Sequence, residues 1–321
     1  MKKHFGKWML CVTVLVVGLA FAGQVRAQEK YPTGTITIMI GFGPGGGGDI
    51  LFRTVADIVK KDLKVPVVVE NKPGGGGALM YSLLQEAKPD GYTIGMITTS
   101  LILESYKTKG KIDYNRFDPI AVFSAAPCAI TVHVDYPWKT IGELLEYAKA
   151  NPGKVRVGNS GTGATYHIFA ISLEKKAGVK FTHVPFGSGA ASGTSLLGKH
   201  IEATAQNLAD IAASLATGKL RVLATSGEKR DPFFPDVPTL KEAGIDVVSY
   251  LWRGLGGPKG IPKERIEILE KAFAKTVQEP AYKEMMKRIM LDNSFMGTAE
   301  FRKMYFRDVD ALMPILKEIE K

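Results

Sequence analysis

Ile36-Thr37-Ile38-Met39-Ile40-Gly41-Phe42-Gly43-Pro44-Gly45-Gly46-Gly47-Gly48-Asp49 is the stretch that decides the fold. Its first half alternates Ile with Thr or Met, as a strand does. From Asp49 to Leu63 the apolar residues Phe52, Val55, Val59 and Leu63 recur at helical spacing. A glycine-rich loop therefore joins a strand to an amphipathic helix. Glycine admits close backbone approach, and the first N–H groups of a helix have no partner inside it. With the helix dipole they form a seat for an anion, and Asp49 is placed as the N-cap. A tight strand-to-helix turn made for packing alone would read the same way, so one loop leaves both readings open.

Outward from this loop the pattern repeats. Val65–Glu70 reads as a strand, Ala78–Ala87 as a helix and Tyr92–Ile97 as a strand. A second series runs Lys154–Gly158 (strand), Gly163–Ala177 (helix), Phe181–Val184 (strand), Ala190–Leu197 (helix), Ile201–Gln206 (strand), Leu208–Thr217 (helix) and Leu220–Thr225 (strand). Alternation of this kind predicts mostly parallel sheets covered by helices, here two α/β domains with a sheet each. Phe117–Tyr136 reads as the first crossing between them, Ile245–Leu255 as the return strand, and Pro262–Ile319 as a helical tail.

The second series carries its own loop, Gly158-Asn159-Ser160-Gly161-Thr162-Gly163-Ala164-Thr165, again between strand and helix. Two helix starts at the carboxyl ends of two sheets can grip one ligand between them. Several hydrogen bonds to a charged group, each worth about 1.5–3 kcal/mol, suffice for roughly micromolar affinity. Polar or bulky residues at other strand ends are further candidates for lining the cleft: Thr98, Thr99 and Ser100, Phe186 and Ser188, and Gln206 and Asn207. A third run, Gly74 to Gly77, reads better as a structural turn.

Other anions and other chemistries fit less well. A phosphate loop needs Lys and Ser/Thr at its close, where this chain has Asp49 and Ile50. A dinucleotide fingerprint can be forced onto the glycines with Glu70 as the acidic partner, but an exported chain has little access to such cofactors. Gly158-Asn159-Ser160-Gly161-Thr162 misses the fifth residue of a nucleophile elbow. The histidines lack metal-ligand spacing, and His167 reads as a hydrogen-bonding residue rather than a base. Neither catalysis, a metal nor a cofactor is expected.

Export follows from the first residues. Lys2, Lys3 and Lys7 precede an uncharged apolar run from Trp8 to Phe21, and Val25-Arg26-Ala27 closes it as a cleavage signal. The run is shorter than the ~20 residues of a spanning helix, so residues 1–27 are read as a signal peptide. Its loss removes four basic residues and no acid, which lowers the formal charge from +10 by four. It also takes Cys11, leaving Cys128 without a disulfide partner. Basic and acidic residues alternate in the tail, so no nucleic-acid stripe is present.

Taken in order, these residues resemble the substrate-binding proteins of tripartite tricarboxylate transporters, the Bug family of periplasmic receptors. The likeness runs through Ile36–Asp49, Val67-Val68-Val69-Glu70-Asn71-Lys72-Pro73-Gly74, Lys88-Pro89-Asp90-Gly91-Tyr92-Thr93 and Val184-Pro185-Phe186. It continues through Gly218–Ala224, Phe234-Pro235-Asp236-Val237-Pro238-Thr239 and Trp252–Pro262. The resemblance implies a type II periplasmic-binding-protein (Venus-flytrap) fold, two α/β domains around a cleft, with the C-terminal helices packed back on the first. On this reading domain 1 is 28–127 with 248–321, and domain 2 is 128–247. It also implies a monomer that binds a di- or tricarboxylate, an aromatic acid or an amino acid and passes it to a membrane permease. The loops matching Phe42–Asp49 and Asn159–Thr165 would hold the ligand carboxylate. Two departures bear on the ligand: Gly48 stands where a hydroxyl is common, and Arg253 where an aromatic residue is frequent. Arg253 is a candidate partner for a second carboxylate at the ligand's far end, or else a solvated surface residue. A carboxylate sensor working through another membrane partner, or a secreted hydrolase using Ser160 and His167, are the alternatives.

Overall fold

The computed structural model describes residues 30–319, and the compact unit treated below begins at Gly34. The signal-peptide reading of residues 1–27 lies outside the described residues. Strand β1 (Ile36–Ile40) pairs in parallel with β2 (Val67–Asn71) on one side and β3 (Thr93–Thr98) on the other. Ile36, Ile38 and Ile40 of β1 are buried, the burial expected of a central parallel strand flanked by helices. Between them run α1 (Gly47–Leu63) and α2 (Ala78–Gln85), and α3 (Thr99–Lys107) follows β3. Helix α1 buries the stripe Leu51, Phe52, Val55, Val59 and Leu63 and stops at Lys64, whose left-handed backbone closes the last turn onto the Lys60 carbonyl.

Strand β4 is the long one, Phe117–His133. Up to Pro127 it pairs antiparallel with β9 (Tyr250–Pro258), which itself lies antiparallel to β3. From Cys128 onward it pairs with β7 (Ala203–Asn207) and β8 (Leu220–Thr225). Pro119 sits beside a register shift, where a missing N–H does least harm to a ladder. β5 (Arg156–Asn159) and β6 (Thr182–Pro185) complete the order β2-β1-β3-β9-β4-β7-β5-β6, with β8 on β4. The expectation of two separate sheets is thus corrected: one sheet of nine strands runs through both halves, because β4 pairs with strands of each. Helices α4 (Ile141–Ala150), α5 (Thr165–Ala177), α6 (Gly189–Leu197) and the short α7 (Ala212–Leu215) cover the second half.

Each half has its own core. Met39, Tyr81, Ile97, Trp252, Phe301 and Tyr305 belong to one cluster, and Ile130, Val132, Trp138, Phe169, Leu173 and Phe181 to another. The C-terminal helices α8 (Lys263–Thr276), α9 (Pro280–Arg288) and α10 (Thr298–Ile319) pack on the first half. Phe273 of α8 meets Phe123 edge to face at 5.4 Å. Phe301 of α10 lies so close over Gly254 that a methyl there would stand 2.6 Å from its ring. Pro280 opens α9, as suits its missing N–H.

Candidate functional site

The two glycine-rich loops line one pocket. The N–H of Gly43 donates to the Gly187 carbonyl at 2.8 Å, joining the first loop to the turn before α6. Helix α1 starts at Gly46, which takes the N-cap position with extended backbone, so Asp49 is not the cap. Asp49 occupies the first turn instead. There one oxygen accepts from Gly45 N–H at 3.0 Å, and the other accepts from Arg53 at 3.0 Å and Asn71 at 2.9 Å. Burial works to raise the Asp49 pKa, but these bonds outweigh it and hold the carboxyl below its ordinary range.

The open end of α1 is met by an acid from the other half. Gly47 N–H donates to Asp210 Oδ1 at 2.8 Å. The other Asp210 oxygen accepts from Arg253 Nη2 at 2.9 Å and from the Tyr166 hydroxyl. Arg253 Nη2 also reaches Tyr166 Oη at 3.2 Å and Asn207 Oδ1 at 3.5 Å, while Nη1 is buried with no partner. Arg253 is only 1% exposed. Burial alone lowers its pKa, yet Asp210 and Tyr166 more than compensate and keep the guanidinium charged. Burial, then the Asp210 charge, pushes the Tyr166 hydroxyl well above its ordinary value.

Helix α5 is capped in the reverse direction. The Thr165 N–H donates to Ser100 Oγ of α3 at 3.2 Å, and the two hydroxyls lie 3.0 Å apart. Lys107, paired with buried Glu104 at 2.7 Å, reaches the Thr162 carbonyl at 3.3 Å. Burial, only partly offset by Lys107, raises the Glu104 pKa. Gly163 N–H donates to His167 Nδ1 at 3.1 Å. Burial, then His183 and Lys107, hold His167 down at about 4.

Between the loops lies a cavity of about 30 Å³. Phe42, Gly43, Gly46, Gly48, Asp49, Ser160, Thr165 and Arg253, all singled out from the sequence, line it. The others stand around it. Pro44 and Gly45 are exposed on the loop, and Gly47 points its N–H at Asp210. Thr99 starts α3 with an unpartnered buried hydroxyl. Asn159 accepts from Gly161 N–H at 3.0 Å, with its amide nitrogen unpartnered. Gly161 lies against Gly76 of the third run, Thr162 is exposed, and Ala164 is the N-cap of α5. Phe186 packs on the cluster of Leu196, Ile201 and Leu220, and Asn207 holds the Pro127 carbonyl at 2.8 Å. The third run forms a turn over Gly75–Gly77 whose positive φ angles require glycine.

Thr98, Ser100 and Ser188, named from strand ends, also line the cavity, and the lining residues that sequence reasoning missed are Met96, Tyr166, Asp210 and Leu251, among others. Asp210 had a readable signal: it is the sole acid between Glu202 and Glu228. A lone acid among small and apolar residues must find a buried partner or a special seat.

A two-domain α/β chain whose loops enclose such a cavity has the periplasmic-binding-protein fold. The chain belongs to the Tripartite tricarboxylate transporter family receptors, whose family model matches residues 51–320. It is 35% identical over 320 residues to the "UPF0065 protein in gbd 5'region" of Cupriavidus necator, covering 99% of this chain and 98% of that one. The crystal structure of a TctC solute binding protein from Polaromonas is 37% identical with a TM-score of 0.67, covering 90% of this chain and 100% of that one. The periplasmic binding protein BugD is 29% identical with a TM-score of 0.83, covering 90% and 98%. Among the described residues no helix is long and apolar enough to cross a membrane.

Proposed function

We propose that the chain, once its first 27 residues are removed, captures a small carboxylate-bearing solute and hands it to the permease of a tripartite transporter. The two gripping domains are 28–127 with 248–321, and 128–247. One observation carries the reading: the starts of α1 and α5 open, from opposite halves, onto one cavity that a buried arginine also lines. The remaining first-turn N–H groups of α1 and the Ser160 and Thr165 hydroxyls are donors suited to a carboxylate. A cavity of about 30 Å³ is far smaller than the few hundred Å³, roughly, of an ordinary ligand pocket. Entry of an organic acid therefore requires the domains to part and close again. Binding without turnover is expected, since the cavity joins no base to a nucleophile: His167 Nδ1 is committed to the Gly163 N–H.

The test is a thermal-shift screen of carboxylic acids against the mature chain, followed by recovery of the bound acid. Ligand at a hundredfold excess over its Kd stabilises the native state by about 2.7 kcal/mol. An unaltered acid recovered in one-to-one amount is the expected result. Silence across aliphatic, aromatic and hydroxylated acids, or chemical conversion of the acid, would overturn the proposal.

A further inference from the structure

Which carboxylate the cavity takes is set by the charges already in it. Among the described residues, the charged ones lining it are Asp49, Asp210 and Arg253. Asp49 is matched from behind by Arg53 at 3.0 Å, and Arg253 is matched by Asp210 at 2.9 Å. The lining thus presents no unmatched positive side chain. Attraction for a first carboxylate comes from the helix starts, whose partial charge serves a single anion. A second carboxylate reaching Arg253 would share that guanidinium with Asp210, placing two negative groups side by side where water is scarce. Arg253 nonetheless keeps one buried donor, Nη1, without a partner. A hydrogen-bond donor whose charge is spent on another group suits a neutral acceptor.

We infer that the solute is a monoanion, with one carboxylate at the helix starts and a neutral hydrogen-bond acceptor, such as an amide, carbonyl or hydroxyl, against Arg253 Nη1. Asp210 is the specificity-determining residue: it occupies the seat on the guanidinium that a second carboxylate needs. This rests on the receptor reading above and narrows it. Asp210→Asn is the informative variant. It is nearly isosteric and keeps an oxygen for the Gly47 N–H, while the amide nitrogen in place of the other oxygen gives up the bonds from Arg253 and Tyr166 together with the charge, which frees the guanidinium for a second anion.

The experiment measures, at pH 7.5, binding of linear diacids of four to eight carbons and their isosteric monoamides (adipate against adipamate, for example) to the mature wild-type chain and to Asp210→Asn. The wild type should prefer the monoamide at least tenfold at the best chain length. In Asp210→Asn the preference should move at least tenfold toward the diacid. A wild-type preference for the diacid overturns the inference while leaving the receptor reading intact, as does a preference that Asp210→Asn fails to shift. Should the variant not fold, the wild-type preference alone decides. No binding of either series to the wild type overturns the inference, and the receptor reading falls with it only if the wider screen of aromatic and hydroxylated acids is silent too.

Discussion

Replacing Gly47 with alanine should separate closure from stability. A methyl built on Gly47 stands 2.9 Å from Asp210 Oδ1, 3.0 Å from Ala209 Cβ and 3.1 Å from the Ala209 carbonyl carbon. The last is backbone, so rotating a side chain cannot relieve the crowding. The domains must back away from each other at this point, and the 2.8 Å bond from Gly47 N–H to Asp210 weakens or breaks. A hydrogen bond to a charged acceptor contributes about 1.5–3 kcal/mol. Since about 1.4 kcal/mol is tenfold in affinity, Gly47→Ala should bind a carboxylate some ten- to a hundredfold more weakly. Its global stability should fall by less than the bond is worth, because Gly47 is helical and alanine is favoured over glycine in helices by up to about 1 kcal/mol. Calorimetric titration with an acid that binds the wild type gives the first quantity and urea unfolding the second. Small-angle scattering of the unliganded chain supplies a check that needs no ligand, since the variant should be the more extended. An affinity within twofold of wild type together with an unchanged scattering curve would refute the reasoning.

Two further outcomes follow from the titrating groups. His167 is held at about 4 against an ordinary 6.5, so the unfolded chain takes up the proton first. Its neutral form then stabilises the fold fully above about 6.5, and that contribution is lost as pH falls toward 4. His167→Asn keeps an acceptor for Gly163 and should flatten the slope of stability against pH in that window. The difference between the two proteins is the readout, because Glu104 titrates in the opposite sense. Burial raises the Cys128 thiol to about 12, so it should stay inert to a thiol reagent at pH 8 until denaturant is added. Reaction in the native protein would place Cys128 outside the core assigned to it.

The alternation of strands and helices was legible because buried parallel strands leave long β-branched runs such as Ile36–Ile40 and Val67–Val69. Their joining into one sheet was not. It depends on β4 continuing past Pro127 into a second ladder, and no local pattern states a strand's partners. Helix α4 carried a start signal in Thr140 and Glu143, whose side chains accept from Glu143 N–H and Lys139 N–H, yet it lies outside the glycine-loop repeat that guided the reading. Asp49 misled for a physical reason. An acid after glycines reads as a cap, but only from inside the first turn can it reach Gly45, Arg53 and Asn71 together. Arg253 stood out as the lone charge between Asp246 and Lys259. Its counter-charge came from another element some forty residues earlier, which spacing cannot reveal.

Strands β4 and β9 are bonded neighbours right up to the pair Pro127 and Tyr250, and Cys128 N–H still holds the Ser249 carbonyl at 3.1 Å just beyond. Because the chain passes between the halves on these two adjoining ribbons, any parting of the halves twists both about a shared line, like a door on a paired leaf spring. A distance across the mouth, measured from this line, is then the natural gauge of how far it stands open.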